Sequence, residues 1–281
     1  MYKNLKMSLC ILIFIILYPQ ITFAGKIDHS LYDLILKNNV KDGLVNYNNI
    51  KKNDIHLLNQ YLEQFHNINV NDFEPWSKDE KLSFWINGYN AITIYGIVKN
   101  YPIKYGGLIA RARFPRNSIR QIKDFWNTVF IRVIWKDITL NHIEHEILRK
   151  KFNEPRIHFA LVCASKGCPE LLNKAYKPNI LDEQLENVTK SFINNRKIVF
   201  LDTSKNELHI SSIFKWYAED FPVDDSNGYL NNYNKNIRGV VQFIMKHFDS
   251  EKRNYIINNK PEIKYLDYDW SLNEMINSNS N

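Results

Sequence analysis

The strongest indication of the fold is the segment Lys81-Leu-Ser-Phe-Trp-Ile-Asn-Gly-Tyr-Asn-Ala-Ile-Thr-Ile-Tyr-Gly-Ile-Val98. At about 100° per residue its apolar side chains fall on every side of a helix, which is typical of a helix enclosed by the rest of the protein. Asn87 and Asn90 lie three positions apart and therefore share one face of that helix. Because a buried amide without a partner costs about 1–3 kcal/mol, both side chains need partners. They bind either the backbone of a neighbouring segment or a substrate.

Around this helix the sequence mixes helices and strands without regular alternation. Apolar periodicity predicts helices over residues 28–38, 52–67, 79–100, 140–151, 180–195, 211–219 and 234–248. Short apolar runs predict strands over 108–114, 129–135, 157–163, 198–201 and 208–210, the last two joined as a hairpin. The mixture favours an α+β fold, with the central buried helix packed on a small, largely antiparallel sheet.

Composition predicts one domain. The chain is 44% hydrophobic, contains only 9 Gly and 9 Pro, and has no internal repeat or linker. Such a chain can bury a full core. We therefore expect a single domain over residues 25–274 and a polar tail over 275–281.

The N-terminus predicts export. Lys3 and Lys6 precede an uncharged apolar run over 7–18, and the Thr-Phe-Ala of residues 22–24 offers a small-residue cleavage site. This order is typical of a cleavable secretory signal peptide, here residues 1–24. A retained anchor is the alternative, but the run is short for a membrane span of about 20 residues. The expected location is periplasmic or secreted, with no transmembrane segment after signal removal.

The charge pattern argues against a nucleic-acid partner. Removing the leader leaves 35 basic and 30 acidic residues, which lowers the net charge from +7 to +5. The lysines are scattered singly, unlike the clustered cations of a nucleic-acid groove. A weak attraction to anionic envelope surfaces is compatible with this charge. The sequence indicates no cofactor, and the expected partner is an unidentified envelope ligand or peptide.

The segment Leu140-Asn-His-Ile-Glu-His-Glu-Ile-Leu-Arg149 places an acid on the apolar side of a helix. Glu144 falls on the apolar stripe, whereas His142 and His145 lie on the polar side. Burying an isolated charge is very costly, so Glu144 needs partners. The histidines lack the His-Glu-x-x-His order of a zinc-binding helix, and we predict a solvated surface rather than a metal site.

The run Arg156-Ile-His-Phe-Ala-Leu-Val-Cys-Ala-Ser-Lys-Gly-Cys-Pro169 carries most of the candidate chemistry. Its first half predicts a strand, and its second half a turn containing Gly167 and Pro169. On an extended strand of about 3.3 Å per residue, His158 and Cys163 would lie on opposite faces roughly 16 Å apart. They can form a base and nucleophile pair only if the chain folds back.

Cleavage of the leader determines which cysteines remain in the protein. Once Cys10 is removed with it, Cys163 and Cys168 are the only cysteines. In an oxidising compartment the first expectation is a structural disulfide, and a turn can bring the two Cα atoms within the required ~7 Å. The alternatives are a reactive thiol at Cys163 and a redox pair. Two cysteines are too few for a closed zinc site.

Motifs spread along the chain together resemble the domain of unknown function 547 family, in an exported bacterial form. They are Phe84-Trp-Ile-Asn-Gly-Tyr-Asn-Ala91, Leu140-x-x-Ile-Glu-x-x-Ile-Leu-Arg149, the run 156–169, Leu208-x-Ile-Ser-x-Ile-Phe-x-Trp-Tyr-x-x-Asp-Phe221 and Tyr265-Leu-Asp-Tyr-Asp-Trp-Ser-Leu-Asn273. The resemblance implies a single α+β domain, often behind a signal peptide in bacterial members. It implies no particular reaction.

The residues of these motifs are compatible with three functions of different classes. A non-catalytic, envelope-associated binding or accessory domain would build a pocket from Asn, His and aromatic residues such as Trp85, Trp216 and Trp270. A thiol redox protein would cycle Cys163 and Cys168 between states.

The third hypothesis is a thiol-dependent hydrolase or transferase acting on a peptide or amide substrate. Cys163 would be its nucleophile, with His158 or Glu144 as acid and base. Other polar residues of the motifs would line the pocket or orient the substrate, namely Asn87, Asn90, Arg156 and Asp220. An accessible thiolate distinguishes this enzyme from a binding domain.

Overall fold

The long apolar stretch forms the helix Lys78–Asn100 in the computed structural model, which describes residues 26–134, 136–226 and 228–275. A capping box begins this helix: the backbone N–H of Glu80 donates to Ser77 Oγ, and the N–H of Ser77 donates to the Glu80 carboxylate. Between Leu82 and Val98 every residue except Tyr95 is buried. The prediction of an enclosed central helix is confirmed.

Some predictions concern segments outside the described residues. They are the signal peptide over 1–24, its Cys10, and the polar tail beyond Met275. Within the described ranges, no helix combines the length and the apolar character that a membrane crossing requires.

Most of the other elements are helices. The longer ones are Ser30–Asn39, Ile55–His66, Leu181–Asn194, Lys235–Met245 and Ser250–Asn259. A helical segment over 140–152 joins α-helical turns at Leu140–His142 and Arg149–Phe152 through a π-helix at Ile143–Leu148. Short α-helices lie at Tyr47–Asn49, Val70–Phe73, Leu108–Arg113, Phe125–Thr128 and Ile213–Trp216, and a second π-helix lies at Ile50–Asp54. The 3₁₀ turns are Ile119–Gln121, Pro155–Phe159, Pro178–Ile180 and Ala218–Asp220.

Strands are short and mostly antiparallel. Three antiparallel pairs are Val40–Lys41 with Leu44–Val45, Phe130–Val133 with Lys136–Thr139, and Val199–Asp202 with Glu207–Ser211. The last pair is the predicted hairpin, and Glu262–Leu266 extends it as a parallel neighbour of Glu207–Ser211. The central helix contacts the strand Phe130–Val133 as well as several helices. The predicted α+β class is confirmed.

Two predicted strands are wrong. Residues 108–114 form the helix Leu108–Arg113, which begins after Gly107 and contains the good helix formers Leu, Ala and Arg. Residues 157–163 are the end of the 3₁₀ turn Pro155–Phe159 followed by irregular chain. Pro155 presets the first helical φ, and the Glu154 carboxylate accepts the N–H of Arg156 at 3.1 Å.

In the part of the chain that the structure describes, buried apolar side chains form two clusters. The first contains the central helix and the N-terminal helices. The second contains the three-stranded sheet and the helix Lys235–Met245. Ile157 and Ala160 belong to the first cluster, whereas Phe159 belongs to the second. The segment that carries His158 therefore lies where the two clusters meet.

Candidate functional site

A pocket of about 550 Å³ opens beside this junction. Glu144, His158 and Cys163 all line it, so the structure brings together the residues predicted as catalytic. Much of the remaining wall is aromatic, consisting of Tyr89, Phe125, Trp126, Trp216, Tyr217, Tyr268 and Trp270. Its volume lies in the range of small-molecule sites.

Glu144 is a buried carboxylate held by phenols. It is 6% exposed and lies in the π-helix Ile143–Leu148. The Tyr89 hydroxyl donates to Oε2 at 3.0 Å, and the Tyr217 hydroxyl donates to Oε1 at 2.5 Å. Single π-helical turns within α-helices are frequent at functional sites. The prediction that Glu144 lies on the apolar side with polar partners is confirmed.

Both phenols stay protonated at neutral pH. Burial raises the pKa of Tyr89 and of Tyr217, and the nearby Glu144 charge raises both further. Each hydroxyl can therefore donate to the carboxylate, which has acceptor sites left over on both oxygens. The arrangement presents a hydrogen-bond acceptor to the pocket.

His158 is fixed by an acid outside the pocket lining. Its Nε2 lies 2.7 Å from Oδ2 of Asp220, and Arg149 donates to the same carboxylate from Nε at 2.6 Å. Burial acts to raise the pKa of Asp220, but the hydrogen bonds and charges of His158 and Arg149 outweigh it and lower the pKa to about 2. The ionised Asp220 carboxylate accepts the Nε2 proton and thereby fixes the orientation of the His158 ring.

Tyr217 connects the hydrogen-bonded pair of His158 and Asp220 to Glu144. Its ring stacks on the His158 imidazole with centroids 4.0 Å apart, and its hydroxyl reaches Glu144. The Arg149 guanidinium also lies over the Tyr217 ring, 5.3 Å from its centroid. Removal of Tyr217 would therefore disturb both polar groups of the pocket.

The two cysteines lie at disulfide distance. The Sγ atoms of Cys163 and Cys168 are 2.32 Å apart, and the Cα atoms are 6.2 Å apart. The Tyr268 hydroxyl lies 3.2 Å from the first sulfur and 3.1 Å from the second. Ser165 Oγ contacts both as well, at 3.2 and 3.4 Å. The expected pairing across the turn agrees with this geometry.

The central-helix amides bind backbone. Asn87 receives the N–H of Tyr176 at 2.9 Å and donates to its carbonyl at 2.8 Å. Asn90 donates to the Ala160 carbonyl and accepts the N–H of Val162, both at 2.9 Å. Neither Asn lines the pocket. The prediction that these amides have partners is confirmed, and the partners are main-chain groups.

Arg156 and Trp85 also lie apart from the pocket lining. Arg156 pairs with Glu154 and with Asp182, each at 2.8 Å. Trp85 packs edge-on against Phe84 at 4.9 Å. Both residues have structural partners here, and Asp220 alone of the predicted orienting residues contacts a pocket side chain.

Within the described residues, few side chains that could bind a metal ion lie close together. His142 is exposed, and His145 Nδ1 lies 2.9 Å from Arg149 Nη1. Among the described residues, Asp202, Glu207 and His209 bring three ligand atoms within 4.8 Å of one another on the hairpin. His209 already contacts Glu207 at 2.9 Å, and this cluster lies outside the pocket.

The mouth of the pocket carries cations. Arg120 and Lys123 line it and are exposed. The Arg120 guanidinium lies 5.1 Å from the Trp270 centroid and 5.7 Å from that of Trp126. The ring faces therefore already hold one cation at the rim.

The tyrosines of the site were not predicted from the sequence. Tyr89, Tyr217 and Tyr268 contact Glu144 or the sulfurs, and each lies inside a motif quoted above. Because these tyrosines lie in the same motifs as the candidate Asn, Asp and Trp residues, their position in the sequence could have indicated a place in the site. Their hydroxyl partners, however, come from distant parts of the chain and are set by tertiary packing.

A family model described as protein of unknown function, DUF547, matches residues 73–193. The matched range contains Glu144, His158 and Cys163 and supports the resemblance to that family. The segments that carry Asp220 and Tyr268 lie beyond it. Comparison with curated proteins and with solved structures gave no significant match. The description of the family names no reaction.

Proposed function

We propose that this protein is an exported, envelope-associated binding domain whose pocket takes a small ligand with a protonated amine. The observation that carries the proposal is Glu144, a carboxylate in the pocket wall that forms no ion pair among the described residues. Neutral phenols satisfy one site on each oxygen and leave others for a ligand donor. An ammonium group would compensate the buried charge directly.

The aromatic wall suits the same chemistry. Trp216 and Trp270 stack with centroids 5.8 Å apart, and Tyr268 lies 4.6 Å from Trp270. These rings would cover the apolar body of the ligand while its amine reaches Glu144. Arg120 and Lys123 at the mouth would favour a ligand whose outer end is anionic, such as a zwitterion.

Export is supported by the leader pattern and by the cysteines. Residues 1–24 carry the charge and apolar order of a signal peptide. The Cys163–Cys168 pair at disulfide distance fits an oxidising compartment.

Matched pairs of probes test the proposal. Glucosamine and a dipeptide amide carry free amines, whereas their N-acetylated forms do not. We expect saturable changes in tryptophan fluorescence with the free amines and at least about tenfold weaker binding of the acetylated forms, because a charged hydrogen bond contributes about 1.5–3 kcal/mol.

The variant Glu144→Gln should lose this preference. Glu146→Gln is its control, since Glu146 is exposed on the same helical segment and pairs with Lys150 at 2.6 Å. Equal binding of both probe forms, unchanged binding by Glu144→Gln, or no binding of any amine would contradict the proposal.

A thiol-dependent activity is the second candidate. The observation in its favour is the pair of hydroxyls at the Cys163 sulfur, since Tyr268 Oη and Ser165 Oγ each lie 3.2 Å from Cys163 Sγ. Such donors stabilise a thiolate. A hydrolase, transferase or redox role for Cys163 would first need reduction of the pair, and alkylation tests that requirement.

A further inference from the structure

An exposed surface beside the pocket combines apolar and basic side chains. We define it as the basic-apolar face, consisting of Lys104, Tyr105, Leu108, Ile109, Arg111, Arg113 and Arg116. Leu108 is 82% exposed and Ile109 71% exposed, more than any other large apolar side chain in the described part of the protein. Both lie in the short helix Leu108–Arg113. Exposed apolar residues at one spot mark an interaction site more often than scattered ones do.

The charge around this face is of one sign. No Asp or Glu occurs from Lys81 to Lys123, and residues 99–123 contain seven Lys and Arg. The chain without its leader has a net charge of only +5, so the rest of it sums to −2. None of these seven cations forms an ion pair within the described ranges. Their charge is therefore available to a partner.

Two arginines of the face lie over the ring of Tyr105. The guanidinium of Arg111 lies 4.8 Å from the Tyr105 centroid, and that of Arg116 lies 5.2 Å from it. Arg111, Arg113 and Arg116 are all exposed. Arginines near exposed Leu and Ile can contact anionic headgroups while the apolar side chains enter the acyl boundary. Arg120 and Lys123 continue the charge to the mouth of the pocket.

We propose that the basic-apolar face docks on an anionic lipid surface, with Leu108 and Ile109 inserted between headgroups and the arginines paired with lipid phosphates. A polyanion such as a nucleic acid would use the charge but would leave Leu108 and Ile109 in water. The apolar pair therefore favours lipid. This inference concerns a surface separate from Glu144 and stands independently of the proposed ligand.

Vesicle co-sedimentation tests the proposal. The protein is residues 25–281, which lacks the apolar leader and keeps every residue that the structure describes. The probes are vesicles of phosphatidylcholine alone and of phosphatidylcholine with phosphatidylglycerol. We expect binding to the second kind, weakening as salt rises, because interactions between surface charges are screened.

Paired variants identify the face. L108S/I109S should weaken binding by roughly tenfold or more, since each side chain loses its apolar burial. R111Q/R113Q should weaken it by about tenfold or more, from the charge lost near the lipid surface. The controls are L34S/V70S, which removes other exposed apolar side chains, and K197Q/K246Q, which removes equal charge from other exposed positions. Circular dichroism checks that each variant is folded.

Several outcomes would overturn the proposal. They are equal binding to neutral vesicles, no binding to anionic vesicles, and equal losses in the variants and their controls. Binding to heparin without binding to vesicles would identify a polyanion as the partner instead and would also overturn it.

Discussion

The imidazole of His158 is held by Asp220, with Nε2 and Oδ2 2.7 Å apart across 62 positions of the chain. Arg149 donates to the same carboxylate and to Glu219. This contact ties the junction segment to the 3₁₀ turn Ala218–Asp220. The orientation of the pocket histidine thus depends on the C-terminal part of the fold.

The contact between Asp220 and His158 makes the free energy of unfolding depend on pH in the acidic range. The pKa of Asp220 is lowered from 3.8 to about 2, so the unfolded chain takes up this proton first as pH falls. Its stabilisation is complete above about pH 4 and is lost between about pH 4 and pH 2. We expect Asp220→Asn to lower the free energy of unfolding by about 1–2 kcal/mol at pH 7, with the difference from wild type vanishing by about pH 2.

Urea denaturation at several pH values measures this effect. Glu219→Gln is the control, because Glu219 contacts the same Arg149 but its side chain is 69% exposed. A difference for Asp220→Asn that does not change with pH would show that the carboxylate charge is not its source.

Tyr217→Phe should isolate one hydrogen bond to Glu144. The ring stacked on His158 is kept, whereas the hydroxyl that donates to Oε1 is removed. We expect a loss of about 1–3 kcal/mol in the free energy of unfolding, because a buried acceptor loses one of its donors. Tyr255→Phe, whose exposed hydroxyl donates to the Thr203 carbonyl, should cost much less in the same denaturation assay. Equal costs would argue against a special role of the Glu144 contact.

Alkylation with mass spectrometry tests the cysteine pair. We expect no iodoacetamide label without reductant and two labels after reduction, with Cys163 reacting before the more buried Cys168. Loss of the short covalent loop should lower stability by about 2 kcal/mol in a Cys163→Ser/Cys168→Ser variant. A fast label on Cys163 without reductant would favour the thiol-dependent enzyme, and its loss in His158→Ala would identify the base.

Asn90→Ala should destabilise the fold rather than the ligand contact. It leaves the Ala160 carbonyl and the Val162 N–H without their side-chain partner in a buried region. At about 1–3 kcal/mol for each of the two unsatisfied groups, we expect a loss of about 2–6 kcal/mol. Asn100→Ala, which removes a single partly buried bond to the Gly96 carbonyl, is the milder control. Thermal denaturation together with amine titration separates the two roles, since reduced affinity at unchanged stability would support substrate orientation.

Local patterns predicted the elements that consist of a clear apolar run bounded by polar or turn residues. The central helix and the hairpin at Val199–Asp202 are examples, since their apolar spacing matches the environment in which they pack. The helix Ser250–Asn259 was not predicted, because Ile256 is its buried residue and it has no apolar stripe. An exposed helix leaves little pattern in the sequence.

The segment 157–163 was misassigned for a tertiary reason. Its apolar run suits a strand, but the Asn90 amide bonds the main chain at Ala160 and Val162 where a neighbouring strand would otherwise do so. The bent chain brings His158 and Cys163 to one pocket, which an extended strand would prevent. Glu144 could be found from the sequence because a charge on an apolar stripe is visible there. Its phenolic partners could not, because 55 and 73 positions separate them from it.

The pocket lies where the two hydrophobic clusters meet, at the segment that carries His158 and Phe159. Glu144 lies in a helical segment that packs in the first cluster, and Tyr217 packs against the second. A ligand that contacts both would stabilise the packing of the two clusters on each other by its binding free energy. Backbone amides of the helix Lys235–Met245, which lines none of the pocket, would then exchange their hydrogens more slowly whenever the pocket is filled.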